Sequence, residues 1–274
     1  MKNILLPTDF SENSLNAIHY AMAFFKGGNH TFYILNIQKV SEYTTAELVA
    51  AAPSESIYEA VLNDNKQKLE ALVNGLQTEN KNEAYKFESL LDFDAFTDAI
   101  RQTIDTKNID LIIMGTNGVT GTEEIVFGSN TLSVIRQIDC PVLAIPEGFK
   151  FDYLETILFT EFIQKKIDST KMNSLFDIIE MHKAVLKILI INEKETKNEF
   201  QENNEALFKT INFETYSLKG IPITQAINSF VQLNKVEMHA LLVEKKNFLE
   251  RLFFGSETSK ISYETKVPLL VMHY

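Results

Sequence analysis

Tryptophan is absent from this chain, and cysteine occurs once, at Cys140. A single thiol excludes an intrachain disulfide framework and fits a reducing compartment. Glycine and proline are sparse, 10 and 6 in 274 residues. There is accordingly no low-complexity or Pro-rich tract. No apolar run approaches ~18 residues, which excludes a transmembrane helix. The opening Met1-Lys2-Asn3-Ile4-Leu5-Leu6-Pro7 soon meets acidic Asp9. Its apolar part is too short for a secretory signal and reads as a first strand. Positive charge is also short: 26 Lys and Arg against 37 Asp and Glu leave a formal charge of −11. An acidic surface repels phosphate backbones and anionic headgroups, which argues against nucleic acid and membrane as partners. These absences together predict a cytoplasmic protein. The five histidines, His19, His30, His182, His239 and His273, include no close pair at ligand spacing, so no metal site is expected.

What is present is apolar: 45% of residues are hydrophobic, and phenylalanine alone occurs 20 times. That is ample material for buried cores, and the length suggests about two domains. Residues 3–7 read as a buried parallel strand. Thr8, Asp9 and Ser11 follow as candidate helix caps. Leu15, Ile18, Met22 and Phe25 recur at helical spacing until Gly27-Gly28. Thr31–Ile37 reads as a second strand, and 38–54 as a loop. Ser56 and Glu59 resemble a capping box for a long amphipathic helix through Leu69, Val73 and Leu76. Then come a strand at Lys86–Leu91, a helix on Phe96, Ile100 and Ile104, and a strand at Asp110–Met114. A glycine-bearing loop spans 115–129, followed by a helix on Leu132, Ile135 and Ile138 and a strand at Pro141–Ile145. Strands alternating with helices predict a parallel sheet with helices on both faces. Ligands of such sheets bind beyond the carboxyl ends of the strands, near a reversal in strand order.

The order then repeats. Thr156–Phe162 echoes Asn3–Phe10 with one residue fewer, placing Glu161 at the position of Asp9. Phe254-Gly255-Ser256-Glu257-Thr258 echoes Phe127-Gly128-Ser129-Asn130-Thr131, and Val267–Val271 echoes Cys140–Ala144. The expected fold is α/β: two tandem doubly wound domains, residues 1–148 and 152–274, each a five-stranded parallel sheet.

The segment with chemistry to offer is Gly115-Thr116-Asn117-Gly118, nine further residues, then Gly128-Ser129. Glycines between a strand and a helix let backbone N–H groups approach phosphate oxygens without a Cβ in the way. The helix start adds unpaired N–H donors and partial positive charge, and Ser129, Asn130 and Thr131 add side-chain donors. The same glycines also serve a loop that merely turns tightly, and spacing alone leaves both readings open. Asp9 is likewise either a helix cap or a ligand contact. Glu123 and Glu124 suit a solvated loop, and Asp92–Asp98 suits a turn and helix start. Cys140 reads as a small buried residue.

The spacing G-x2-G-x9-G-S, the preceding Leu111-Ile-Ile-Met-Gly-Thr, the following Cys140-Pro-Val-Leu-Ala-Ile-Pro and the opening Ile4-Leu-Leu-Pro-Thr-Asp-Phe-Ser resemble the universal stress protein family. The likeness covers 1–146 strongly and 153–274 faintly. It implies an adenine nucleotide alpha hydrolase-like fold and ATP with Mg²⁺ in the first domain. Asp9, with Pro7 and Thr8 beside it, would contact the nucleoside, and Ile37 the adenine. Met114 and Gly115 would line the ribose. Gly118, Gly128, Ser129, Asn130 and Thr131 would surround the phosphates. Val119 departs from the family, where a basic residue often follows the second glycine, and Asp92-Phe93-Asp94 replaces a Gly-x-Pro-like turn.

In the second domain Glu244-Lys245-Lys246-Asn247-Phe248 replaces the early glycines, so no nucleotide is expected there. Gly220-Ile221-Pro222 keeps the family's turn. Family members usually dimerise through their final strands. The apolar segments 141–145 and 268–272 suit that contact made internally, and a further homodimer of whole chains is compatible with it. Three functions remain in view. The first is an ATP-binding stress-response regulator read by an unknown protein partner. The second is a slow ATPase or nucleotidyl-transfer enzyme, and the third a nucleotide-free interaction protein. No catalytic base stands near the loop, and its nearest arginine is Arg136, which favours binding over turnover.

Overall fold

The computed structural model describes residues 1–38, 57–116, 127–161, 167–192, 204, 207–243 and 267–274. In the first half the order is β1 (Lys2–Pro7), α1 (Glu12–Phe24), β2 (Asn29–Ile37), α2 (Ile57–Glu79), β3 (Ala84–Asp92), α3 (Phe96–Lys107), β4 (Leu111–Gly115), α4 (Ser129–Gln137) and β5 (Val142–Ile145). In the second half it is β6 (Thr156–Glu161), a short 3-10 turn (Ser169–Met172), α5 (Asn173–His182), β7 (Val185–Asn192), β8 (Phe213–Lys219), α6 (Ile223–Leu233), β9 (Met238–Val243) and β10 (Leu269–His273).

The strands form one ten-stranded sheet in the order β3-β2-β1-β4-β5-β10-β9-β6-β7-β8. Every neighbouring pair is parallel except β5 and β10, which run antiparallel. Each half is therefore a doubly wound five-stranded sheet, and the two fuse along their last strands. Leu143 pairs with Leu270, flanked by Val142 with Val271 and Ala144 with Leu269. Residue 270 is the repeat counterpart of 143, so a pseudo-twofold axis passes through this pair, as in an isologous dimer.

The sequence gives each strand two faces. On β1, Ile4 and Leu6 join a core with α1, α2 and α5, while Leu5 joins the opposite core with α3, α4 and α6. Central β9 and β10 are buried throughout, as expected of strands covered on both faces. Edge strand β3 runs nine residues rather than the six expected. Its alternating pattern and outward Lys86 and Glu88 suit an edge that faces solvent.

Helix α1 starts at Ser11, whose side chain accepts from the Ser14 amide at 3.2 Å. It buries Ala17, Ile18, Ala21 and Phe24, and stops before Gly27, which takes φ 84°. The capping box proposed at Ser56 lies outside the described residues. Between the halves, Phe149 and Phe151 pack on Tyr20 of α1, and Phe151 also touches Phe24 and His182 of α5. Asn16 donates to the Phe149 carbonyl at 3.1 Å. A Lys2–Asp177 ion pair of 2.5 Å adds a polar tie between the halves.

Candidate functional site

The strand order reverses between β1 and β4, so a crevice opens beyond their carboxyl ends. Pro7 ends β1. Buried Thr8 continues the ladder, its amide donating to the Leu35 carbonyl at 2.8 Å. Its carbonyl accepts from Asn36 Nδ2 at 2.8 Å, and its hydroxyl lies 2.9 Å from that of Ser14. The same hydroxyl accepts the Phe10 amide at 3.0 Å. Phe10 takes φ 62°, a left-handed conformation uncommon for a bulky residue, and Thr8 pins it there.

Asp9 is exposed at the mouth of this turn. Its Oδ1 accepts from the Ser11 amide at 3.0 Å and the Ser11 hydroxyl at 2.5 Å. Burial works against its charge, but the hydrogen bonds from Ser11 and Ser14 together outweigh that and hold the carboxyl below its ordinary range. Asp9 is thus an anion at neutral pH. It orients the helix cap, and Ser11 is the cap itself.

On the other side of β1, β4 ends in buried Met114 and half-buried Gly115. The Thr116 amide donates to the Ile145 carbonyl at 2.9 Å, and the Gly128 amide donates to the Thr116 carbonyl at 2.5 Å. These bonds bring the two ends of the intervening loop together. The Thr131 hydroxyl donates to the Gly115 carbonyl at 2.8 Å, which fixes the start of α4 against β4. The first intrahelical bond of α4 runs from Leu132 to Gly128, so the amides of Ser129, Asn130 and Thr131 have no acceptor within the helix. The cap residue is Gly128, with no side-chain cap. Ser129 and Asn130 are exposed, whereas Thr131 is buried and its proton is committed to Gly115.

Pro7, Thr8, Asp9, Met114, Gly115, Gly128, Ser129, Asn130 and Thr131 thus come from adjacent strand ends and the start of α4. Ile37, half-buried, ends β2 on the far side of β1. Gly118, Val119, Glu123 and Glu124 lie outside the described residues. A Cβ on Gly115 would lie 2.7 Å from Asn13 Cγ and Nδ2, so this glycine also leaves room for the Asn13 carboxamide of α1. Sequence spacing gave no hint of Asn13, which comes from another element. A hydroxyl absent from the expected set, Thr116 Oγ1, is fully buried and has no hydrogen-bond partner among the described residues.

In the second half, sheet register revises one correspondence. Ile112 pairs with Val142 and His239 with Leu269, each 127 positions later. Since Leu5 pairs with Ile112 and Leu158 with His239, Leu158 is the counterpart of Leu5. Glu161, still in ladder register with Ile190, therefore stands at the place of Thr8 and not of Asp9. The missing residue falls after the strand, where nothing forces a gap inside the ladder. The Gly220 turn is present, with φ 68°. Residues 244–258, including the replaced loop, lie outside the described residues. At the opposite, amino ends of β1, β2 and β4, a cavity of about 30 Å³ lies between Lys2, His30, Leu111 and α5. That is room for about one water molecule, so it is a packing gap and not a rival for the crevice.

A doubly wound sheet with a helix start that lacks a side-chain cap beside its switch point defines a protein of the doubly wound α/β class, in which ligands bind beyond the carboxyl ends of the strands. A sequence model of the universal stress protein family matches residues 1–146, and the chain belongs to that family. A universal stress protein of Methanocaldococcus jannaschii is 28% identical over 149 residues, 54% of this chain and 84% of that protein. A putative universal stress protein of Staphylococcus aureus is 27% identical over 167 residues, 60% of this chain and 96% of that one. Among solved structures, a universal stress protein from Archaeoglobus fulgidus superimposes with a TM-score of 0.70 at 18% identity. That match covers 99% of this chain and 96% of the other, so the fold likeness extends across both halves. No helix of the described residues is long and apolar enough to cross a membrane.

Proposed function

We propose that the first half holds ATP, with Mg²⁺ on its phosphates, and that the protein is a stress-response regulator and not an enzyme. The observation that carries this reading is the start of α4. Its three leading amides and the exposed Ser129 side chain open, under a glycine cap, beside the carboxyl ends of β1 and β4. Such a helix start favours anionic oxygen. Anionic Asp9 suits the opposite end of the ligand, where hydroxyl or amino groups donate and phosphate would be repelled. Ile37 offers apolar contact for the base, and Met114 and Gly115 line the ribose side. Gly118 belongs to this reading by its spacing. Arg136 sits in the last turn of α4, far along the helix from Ser129, so it is badly placed to stabilise charge in a transferring phosphoryl group. Occupancy would change a surface that a protein partner reads. The second half serves as the pseudo-twofold partner without a nucleotide of its own, consistent with a glutamate in the place of Thr8.

Calorimetric titration of nucleotide-stripped protein with ATP tests this, with product followed over hours. One equivalent per chain with negligible product is expected. Steady multiple turnover would establish the enzyme reading, and silence at millimolar ATP a nucleotide-free interaction protein. Two equivalents would overturn the division of labour between the halves. Asp9→Asn should weaken adenosine and ATP alike, whereas Ser129→Ala should weaken ATP alone.

A further inference from the structure

The helix that opens the crevice is held at both ends, and its far end is held by the other half of the molecule. At the start of α4, Thr131 is bonded to Gly115 within the first half. In its last turn, the Ile135 carbonyl lies 2.7 Å from Nε2 of His273, at the end of β10. A carbonyl only accepts, so Nε2 carries the proton and donates. The last four carbonyls of a helix have no intrahelical partner. Val134 uses its carbonyl for the Ile138 amide, and Ile135 is served by His273 across the junction. His273 is 3% exposed and Ile135 fully buried, so water does not compete for this bond.

We propose that His273 is a positioning residue for the ligand-facing start of α4, so that the second half contributes directly to binding in the first. This rests on the reading that the crevice takes a nucleotide. Helix α4 has nine residues. At 1.5 Å per residue it is about 13 Å long and moves as a rod. Without the tie to His273 the far end of the rod is freer to pivot about Thr131, and a pivot displaces the Ser129 and Asn130 amides. The bond to His273 removes that freedom. The apolar packing of Val134 and Ile135 against the sheet does not fix the helix along its own axis as a directional bond does. The arrangement is one-way. The repeat counterpart of His273 in the first half is Pro146, which has no side-chain donor to return the cap.

The test compares wild type, His273→Leu and His273→Gln for affinity towards adenosine and ATP, with amide hydrogen exchange across α4 in the ligand-free proteins. Leucine removes the donor and keeps bulk; glutamine offers an N–H near the same place. His273→Leu should weaken ATP about tenfold, leave adenosine within twofold and speed exchange in α4. His273→Gln should recover most of the ATP affinity. Equal weakening of both ligands would mean general loosening and overturn the proposal. So would unchanged ATP affinity in His273→Leu while wild type binds. Failure of wild type to bind either ligand would instead remove the nucleotide reading, and this proposal with it.

Discussion

Replacing Gly115 by alanine isolates its contact with Asn13. The added Cβ would meet the Asn13 carboxamide, with Cγ and Nδ2 at 2.7 Å and Oδ1 at 2.8 Å. Separations below 3.0 Å force something to move. The backbone at Gly115 is not in the left-handed region, so alanine is not strained there for its own sake. The cost is steric. Asn13 is 6% exposed, on the first turn of α1, and cannot swing its amide into water without vacating that place. Overpacking of this kind costs about 1–3 kcal/mol. For a chain of this size that lowers Tm by roughly 2–4 °C per kcal/mol. A double-mutant cycle with Asn13→Ala checks the cause. Asn13→Ala alone loses its polar interaction, about 1 kcal/mol. The double variant has no clash left, so its cost should fall short of the sum of the singles by about 1–2 kcal/mol. Urea denaturation gives all four values. A Gly115→Ala protein as stable as wild type, or singles that simply add, would refute the packing account and return Gly115 to a purely ligand-facing role.

Three further outcomes follow from individual side chains. His239, fully buried with its Nε2 2.8 Å from the Thr160 hydroxyl, is driven by burial down to about 3. Its folded value lies below the unfolded one, so the folded state binds fewer protons; stability is full above about pH 6.5 and declines towards pH 3. At pH 5 the loss is about 2 kcal/mol, to which His30 and His182, also lowered by burial, add with the same sign. Denaturation at pH 7 and pH 5 should show this fall, smaller in His239→Gln; a flat profile would contradict it. Burial pushes the Cys140 thiol up to about 12, so a thiol reagent at pH 8 should label native protein slowly and urea-unfolded protein at once. Equal rates would show that Cys140 is accessible. Lys2→Met removes a half-exposed ion pair to Asp177 and should cost under about 1 kcal/mol by chemical denaturation. A larger loss would mean that this contact carries much of the adhesion between the halves.

The sequence reading reached the elements through their periodicity, because core strands and one-sided helices write their burial into spacing. It found the repeat and the apolar last strands, and β5 and β10 do pair. It missed what depends on registers between distant elements. β3 extends from Ala84 to Asp92, yet at a solvent-facing edge its alternation is diluted by charge, so the ends looked like loop. Glu161 aligned with Asp9 by residue type alone, whereas hydrogen-bond register sets it at Thr8. Asn13 against Gly115, and His273 against Ile135, join residues about 100 or more positions apart. Neither pair carries a local pattern, since a directional contact needs only one residue on each side. Of the glycines whose spacing marked the loop, Gly115 lies close to Asn13.

The antiparallel junction has a mechanical consequence. Strand carboxyl ends of the first half open at one end of the sheet and those of the second half at the other, so the two crevices cannot share a ligand. Among the described residues, two helices run from the first crevice to the second half. Helix α1 begins at the Asp9–Ser11 turn and ends with Phe24 4.5 Å from the His182 ring of α5. Helix α4 begins at Ser129 and ends on His273. Both start at the first crevice, and both finish on residues of the second half. Since packed helices shift as units, a displacement at the start of either helix would reach the second half through these contacts.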